Sequence, residues 1–304
     1  MTKILVLYHK DAPLVKSEIF TPIHIGAALS RDEEWAKDML SDDKGDNISE
    51  KNPTYNELTA IYWAWKHYLE LGDPDHIGIA HYRRFFIFER RKYAYYEQKF
   101  IGDDFLDSIC ANKFKDEIFV DRDFVAPMPN VRKSVYDNYC SAHHKDDLLL
   151  ALELIKDLRP DMYETTKRYV KNKAAFFYNM FLLSRDDFFE YCEFLFGIVD
   201  EFAKRTAHPG ERLFISELLT GVFFFHLLEN GKKPLYLPVL FIGGKPSFKQ
   251  SVAQVRANLK GKTSGFLFKI KPLIVFFTLN FLLIRRKRKT VKPEDIEKAA
   301  KPSV

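Results

Sequence analysis

The chain has 304 residues, of which 46% are hydrophobic and 15% aromatic, enough for one large α/β domain with appendages. Its formal net charge is +5, but much of the excess lies in one C-terminal cluster, which argues against a distributed nucleic-acid-binding surface. Cys110, Cys140 and Cys192 are widely spaced and form no CxxC pair, so we expect free thiols in a reducing cytosol rather than disulfides or a zinc ribbon. The apolar run at residues 4–7 is too short for a signal peptide.

The first predicted element is a strand over residues 3–10, an apolar run that ends in polar groups. This pattern is typical of the opening strand of a doubly wound sheet. Ligands of such sheets bind beyond the carboxyl ends of the strands. Tyr8 and His9 lie at that end and are therefore candidate nucleotide-binding residues.

A polar, turn-rich loop over residues 41–57 carries closely spaced carboxylates. Asp42 and Asp43 are weak candidates for a Mg²⁺ or Mn²⁺ site, and Asp46 is a candidate nucleotide-binding residue. Asn52 lies where the loop meets the next helix, and a helix start favours an anion. The loop is therefore a candidate part of a ligand site.

The helix after this loop is predicted to begin at Thr54 and to run to about Leu71. Thr54 and Glu57 have the spacing of a capping box. Glu57 is therefore either the capping partner or a residue that contacts sugar or acceptor. The aromatic residues of this helix are predicted to pack in the core.

A second strand, over residues 77–86, ends in His81-Tyr82-Arg83-Arg84. The planar guanidinium of arginine matches phosphate oxygens two at a time, so this end predicts a phosphate-bearing ligand such as a nucleotide-sugar. If the strand continued through the motif, alternation would place Arg83 on the same face as His81 and Arg84 on the opposite face. The alternative is that the arginines form surface salt bridges and His81 is a core residue.

Further elements follow in an α/β order. Residues 116–130 predict a strand, and Asp121 and Asp123 before it form a DxD pattern, a weak metal-binding signal at the wrong end of a strand for a ligand. Residues 136–170 are predicted to be helical, with a break at Pro160. Residues 174–205 predict a strand, a turn and a helix that has Ser184 as its N-cap. A helix over 210–231 and a final strand and loop over 232–244 complete the predicted elements.

Three polar residues in this second half are candidate site residues. Asn179 lies at a strand end, where its amide can bond two sugar hydroxyls. Glu217 is flanked by apolar residues, so its pKa is expected to be raised and its carboxylate suited to act as a general base; the alternative is an exposed helix carboxylate. Arg212 shares the predicted helix with Glu217 and is a candidate sugar or acceptor contact.

The C-terminal region contains an apolar stretch at residues 266–284 followed by five consecutive cations at 285–289. Its uninterrupted part, residues 273–284, would be about 18 Å long as a helix, shorter than the roughly 30 Å hydrocarbon core of a bilayer. We therefore expect an amphipathic segment that lies on an anionic membrane surface. The alternative is a terminal core helix followed by a solvated run of charge.

The motifs ELTAIYWAWK (57–66), HYRRFF (81–86) and YNMF (178–181), with Arg212 and Glu217 after them, resemble a family of bacterial capsular, exopolysaccharide and lipopolysaccharide glycosyltransferases. Many members of that family are labelled only as a domain of unknown function. The resemblance covers roughly residues 3–242 and is carried mainly by the first two motifs.

The resemblance implies an α/β fold of the GT-A-like, Rossmann type, with added helices, that binds a nucleotide-sugar. It places HYRR where such enzymes usually carry a metal-binding DxD, so His81, Arg83 and Arg84 would neutralise the donor diphosphate. Mg²⁺ or Mn²⁺ is possible on this account, but metal independence is expected. The resemblance places Asn179 near the sugar and Glu217 near the position of the catalytic base, with inversion favoured.

The implied reaction moves a sugar from a UDP-sugar to an undecaprenyl-linked oligosaccharide at the cytoplasmic face of the bacterial membrane. Galactofuranose and other hexoses are candidate sugars, and the sequence does not distinguish them. The expected organisation is a transferase domain at residues 1–245, a linker at 246–265, a membrane-associating segment at 266–289 and a flexible tail at 290–304. The alternatives are a non-catalytic sugar- or nucleotide-binding module and a polysaccharide phosphotransferase.

Overall fold

The computed structural model describes residues 1–30, 33–88, 95–98, 116–130 and 133–243. The predicted linker, membrane-associating segment and tail, together with Cys110, lie outside the described residues. Within the described ranges, no helix is both long enough and apolar enough to cross a bilayer. Cys140 and Cys192 are free thiols.

The described part of the chain is built on a ten-stranded mixed sheet. Its strands are β1 (Thr2–Tyr8), β2 (Phe20–His24), β3 (Leu40–Ser41), β4 (His76–His81), β5 (Arg84–Phe86), β6 (Tyr95–Gln98), β7 (Phe124–Pro127), β8 (Phe181–Ser184), β9 (Pro234–Leu237) and β10 (Val239–Ile242).

The first four strands form a parallel unit in the order β3-β2-β1-β4. The chain adds two strands outward on one side of β1 and then returns to place β4 on its other side. The carboxyl ends of β1 and β4 therefore meet at the point where the strand order reverses, which is where open α/β sheets bind ligands. Beyond β4 the sheet continues through antiparallel β8 to β7 and β9, while the end of β4 turns into antiparallel β5.

Helices cover the sheet and are α1 (Asn52–Tyr55), α2 (Leu58–Lys66), α3 (Val135–Cys140), α4 (Lys145–Leu158), α5 (Pro160–Lys171), α6 (Arg185–Arg205) and α7 (Ile215–Glu229). Alternation along the strands divides the core in two. Leu5 and Leu7 of β1 pack with the helices, whereas Ile4 and Val6 pack with the cluster on the opposite face. Helix α7 is apolar around most of its circumference because it is buried on nearly every side.

The predictions of helix ends from capping residues have mixed outcomes. Ser184 is the N-cap of α6, with its side chain accepting a hydrogen bond from the Asp187 backbone at 3.2 Å, as predicted. Pro160 begins α5, also as predicted. The capping box of Thr54 and Glu57 is wrong, because the chain breaks between α1 and α2 at Asn56, where φ is +48°.

The final predicted strand is also corrected. Pro238 divides it into β9 and β10, which pair with different neighbours. Proline cannot donate to a strand ladder, so it marks a natural point at which the chain leaves one partner and joins another.

Candidate active site

A cleft of about 570 Å³ opens at the carboxyl ends of β1 and β4. It is the position that the reversal of strand order favours for a ligand. The cleft collects most of the polar residues singled out from the sequence, and its charged or ionisable lining groups are His9, Lys10, Glu57, His81, Arg83, Arg84, Arg212 and Glu217.

The HYRR motif forms a tight hairpin rather than a continuous strand. β4 ends at His81, the chain turns at Tyr82 and Arg83, and Arg84 begins β5 directly opposite His81. Residues directly opposite in an antiparallel pair carry their side chains on the same face. The prediction that Arg84 points away from His81 is therefore wrong, and both arginines line the cleft.

The two arginines are held by aromatic contacts. The Arg83 guanidinium lies 5.5 Å from the centre of the Tyr82 ring, and that of Arg84 lies 5.0 Å from the Tyr178 ring. Both also lie 5.3 Å from the Phe241 ring. Among the described residues, the buried Nε atoms of Arg83 and Arg84 have no hydrogen-bond partner. Because buried donors are rarely left unpaired, these two atoms make the hairpin a candidate site for a hydrogen-bond acceptor.

His81 is oriented by a hydrogen bond of 2.7 Å to the carbonyl oxygen of Tyr178. A carbonyl can only accept, so Nε2 carries the proton and Nδ1 of the neutral ring is an acceptor. Burial lowers the pKa of His81, and Arg84 and Arg83 lower it further against the opposing effect of Glu57. His81 is therefore mainly neutral at pH 7, and the positive charge of the motif comes from its arginines.

Glu217 has the perturbed acidity predicted from its apolar flanks. Burial raises its pKa to about 7, and the charge of Glu57 raises it in the same direction, against a backbone hydrogen bond to Tyr178 and the charge of Arg84. It lies in the first turn of α7 and lines the cleft. A carboxylate that titrates near neutral pH and faces a cleft has the properties of a general base.

Asn179 is buried and its amide is saturated within the protein. Its Nδ2 donates to Glu57 Oε1 at 2.8 Å and to Ser216 Oγ at 2.9 Å, while its Oδ1 accepts from Thr220 Oγ1 at 2.6 Å. The amide has no donor left for a sugar hydroxyl, which corrects the role predicted from the sequence. Asn179 instead fixes Glu57, the carboxylate that influences both His81 and Glu217.

The loop after β2 is braced by the buried side chain of Asp42. Asp42 accepts hydrogen bonds from the Gly26 and Ala27 backbones at 2.9 and 3.1 Å and from Ser49 Oγ at 2.5 Å. Asn52 lines the cleft and donates to the Asn56 carbonyl oxygen at 2.9 Å. Asp42 therefore has a structural role, and its predicted part in a metal site is not supported by its surroundings.

Several other predicted site residues lie outside the cleft. The Tyr8 side chain is buried, and its hydroxyl bonds with Pro13 and Val15. Asp46 accepts a hydrogen bond from Tyr62 at 3.0 Å, and Asp43 accepts one from Ser41 at 2.5 Å.

Asp121 and Asp123 lie before the start of β7, which runs antiparallel to β8 and hence in the same direction as β4. They are therefore at the edge of the sheet opposite the HYRR hairpin. The DxD pattern is remote from the cleft.

The hairpin at the end of β4 offers no carboxylate of its own to a divalent cation. It presents Arg83 and Arg84 and a histidine whose Nε2 is already engaged, and the carboxylates of the cleft, Glu57 and Glu217, belong to other elements. In the part of the chain that the structure describes, three metal-ligating side chains lie close together elsewhere, near the start of α4: His144, Asp146 and His208.

A broader, more open groove of about 910 Å³ adjoins the cleft. The two share Ser30, and the groove follows the ends of β2 and β3, with His24, Ser41 and Lys51 among its lining residues. The Trp35 ring stands edge-on to His24, with ring centres 4.6 Å apart.

Tyr178 is a site residue whose role the sequence interpretation missed. Its φ of +79° is strained for a tyrosine, and it is followed by Asn179 at +47°. This conformation accompanies a carbonyl bonded to His81 and a ring placed against Arg84. The only sequence signal for it is its adjacency to Asn179, because backbone strain leaves no trace in composition.

Comparisons with known proteins agree on the family and the fold. A family model described as a domain of unknown function (DUF4422) matches residues 3–227. The apo structure of the bifunctional glycosyltransferase WbbM superposes with a TM-score of 0.70 at 28% sequence identity. The match covers 80% of this chain but 45% of the WbbM chain. No curated protein sequence matches significantly.

Proposed function

Since the chain belongs to the DUF4422 family and has a glycosyltransferase fold, we propose that it transfers a sugar from a UDP-sugar to a glycan acceptor in the cleft between β1 and β4. One observation supports this most strongly. Two arginines with unpaired buried Nε atoms and a carboxylate whose pKa is raised to about 7 share the same cleft. These are the two kinds of group that sugar transfer from a nucleoside diphosphate requires.

The proposed reaction uses Glu217 as the general base. Its carboxylate takes the proton of the acceptor hydroxyl, whose oxygen forms the new bond to the anomeric carbon. The bond between that carbon and the diphosphate oxygen breaks, and UDP leaves with the electron pair. Attack opposite the leaving group inverts the anomeric centre, the outcome that we favour.

Arg83 and Arg84 bind the diphosphate and stabilise the charge that grows on it as the bond breaks. Lys10 and Arg212 add positive charge to the same cleft. Neutral His81 contributes Nδ1 as an acceptor for a hydroxyl of the donor. We propose that the arginines replace the metal ion, so donor binding is independent of Mg²⁺ and Mn²⁺.

The adjoining groove at the ends of β2 and β3 offers space for the nucleoside of the donor. The acceptor that we propose is an undecaprenyl-linked oligosaccharide of capsule, exopolysaccharide or O-antigen synthesis. Galactofuranose and other hexoses remain candidate sugars. The membrane-associating role of residues 266–289 remains a proposal that rests on their sequence.

The alternatives are less well supported by the cleft. A non-catalytic sugar- or nucleotide-binding module does not require a carboxylate such as Glu217, whose pKa is raised to about 7, beside the arginines. A phosphotransferase requires a metal-binding carboxylate set, and Asp42 is bonded internally while Asp121 lies at the opposite edge of the sheet.

The test is a calorimetric titration of the full chain with UDP, GDP and CMP, each in EDTA and in Mn²⁺. We expect UDP to bind with equal affinity in EDTA and in Mn²⁺. Arg83→Ala and Arg84→Ala should each weaken UDP binding about 10-fold or more, because each removes a charge-assisted hydrogen bond. Arg122→Ala, an exposed arginine at the opposite edge of the sheet, is the matched control and should leave the affinity unchanged. Absence of binding by all three nucleotides would refute the proposal.

A further inference from the structure

Three metal-ligating side chains converge outside the cleft, between the start of α4 and the loop that joins α6 to α7, and a fourth lies beside one of them. His144 and Asp146 belong to the helix start, and His208 and Glu211 to the loop. One ligand atom from each of His144, Asp146 and His208 lies within 4.8 Å of the others. Glu211 Oε2 lies 3.2 Å from His144 Nε2, so a second carboxylate adjoins the group.

Two of the contacts in this group are as short as the edges of a small coordination polyhedron. His208 Nε2 is 3.1 Å from Asp146 Oδ2, close to the 3.2 Å between the His144 and Glu211 atoms. In a tetrahedral zinc site with bonds of about 2.0–2.1 Å, neighbouring ligand atoms are roughly 3.3 Å apart. The two imidazole rings are stacked with centres 3.6 Å apart, so one ring must rotate before both Nε2 atoms can face the same ion.

We propose that His144, Asp146, His208 and Glu211 bind a borderline-soft divalent cation of the zinc class. Two imidazoles and two carboxylates form a donor set suited to Zn²⁺ or Co²⁺ rather than to Mg²⁺ or Ca²⁺, which take oxygen ligands. The side chains of His144, Asp146 and Glu211 are about half exposed, so small rotations can close the group around an ion.

The ion would connect two segments more than 60 residues apart in sequence, as the His208–Asp146 and His144–Glu211 pairs are. Thr206 already donates a hydrogen bond to Asp147 at 2.7 Å across the same boundary. The bound ion therefore braces the loop just before Arg212, which lines the cleft. This site is separate from the HYRR hairpin and stands whether or not the proposed transfer is correct.

The test uses the full chain without a histidine tag, because a tag binds the same ions. The protein is stripped with EDTA, desalted and titrated with Co²⁺, with visible absorption and calorimetry as readouts. We expect one Co²⁺ per chain, displacement by Zn²⁺ and a rise in melting temperature with Zn²⁺ that Mg²⁺ does not produce.

The His144→Ala/His208→Ala double variant should lose affinity about 100-fold or more, because both nitrogen ligands are gone. Asp146→Asn should weaken binding less while keeping the melting temperature of the metal-free protein. His226→Ala removes a histidine paired with Glu190 at 3.3 Å on another surface and is the matched control, with unchanged binding. No saturable uptake by the wild-type chain, or equal uptake by the double variant, would overturn the proposal.

Discussion

At the scale of single residues, the cleft contains two groups whose pKa values are shifted from their ordinary values. His81 is kept neutral by burial and nearby arginines, whereas burial and the charge of Glu57 favour the protonated form of Glu217. Both residues contact the backbone of Tyr178. The strained backbone at Tyr178 thus contacts both Glu217 and His81, two residues that line the cleft.

The raised pKa of Glu217 predicts a pH-dependent cost to stability. The native state holds this proton up to about pH 7, while the unfolded chain releases it near 4.5, so stability falls as pH rises between those values. The difference corresponds to at most about 3 kcal/mol. Glu217→Gln removes the cost, and urea unfolding should show the variant about 1–3 kcal/mol more stable than wild type at pH 8. At pH 4 the two should agree; an equal gain at both pH values would contradict the assignment.

Asn179 should behave as a structural residue. Asn179→Ala removes the hydrogen bonds to Glu57, Ser216 and Thr220 and places alanine at a φ of +47°. We expect the free energy of unfolding to fall by roughly 2–4 kcal/mol in urea titrations. Asn230→Ala, at an exposed asparagine after α7, is the control and should change it by less than about 0.5 kcal/mol. A stable Asn179→Ala variant that has lost only sugar affinity would restore the direct contact expected from the sequence.

The predicted site residues that line the cleft include those whose chemistry is local. The HYRR motif and Glu217 carry their charge and apolar flanks in a few adjacent positions, and both line the cleft. The predicted sugar contact of Asn179 and the predicted direction of the Arg84 side chain differ from the structure, because each depends on a partner distant in sequence or on a turn. Tertiary packing sets the hydrogen-bond partners of the Asn179 amide, Glu57 and Ser216, and the register of the HYRR hairpin. The periodicity of the sequence does not encode that packing.

At the scale of elements, the loop after β2 and the start of α1 form one wall of the cleft through a close backbone approach. Gly26 has a φ of +70°, and a Cβ there would lie 2.8 Å from the Asn52 side chain. Asp42 binds the backbone of the same loop from beneath. The loop therefore has little freedom to move without displacing Asn52.

Gly26→Ala should consequently damage both stability and donor binding. The backbone strain of alanine at positive φ costs about 1–2 kcal/mol, and the clash with Asn52 adds to it. Gly231→Ala is the matched control, because Gly231 has a φ of +79° and a Cβ added there would meet nothing within 4 Å. We expect the first variant to lose more stability than the second and to bind UDP more weakly by calorimetry. Equal losses would show that the contact with Asn52 is unimportant.

At the scale of the whole molecule, the fold is a parallel α/β unit extended by antiparallel strands, and it spans less than half of the WbbM chain. The fold class was predictable, since buried strands and amphipathic helices alternate along the sequence. The strand β2 was not among the predicted elements, although it pairs with β1 in the parallel unit. The branching of the sheet at β4 was not predictable, because it depends on which edges β5 and β8 find.

The basic segment after residue 262 is proposed to hold the protein on anionic membranes. A chain truncated at residue 262 should stay in the supernatant when vesicles of anionic lipid are pelleted, while the full chain sediments with them. The full chain should be released at high salt, because attraction of exposed cations to lipid is screened. Vesicles of neutral lipid serve as the control. Sedimentation of the truncated chain with the vesicles would contradict the proposal.

The central claim is that Glu217 and the HYRR arginines act together on a UDP-sugar. The most direct measurement is release of UDP from a panel of UDP-sugars in EDTA, with water or a lipid-linked glycan as acceptor, by the wild type and Glu217→Gln. We expect the wild type to turn over at least one donor, and the variant to bind UDP within about 3-fold of wild type but to turn over about 1,000-fold more slowly. Undiminished turnover by Glu217→Gln, or no turnover of any donor by the wild type, would contradict it.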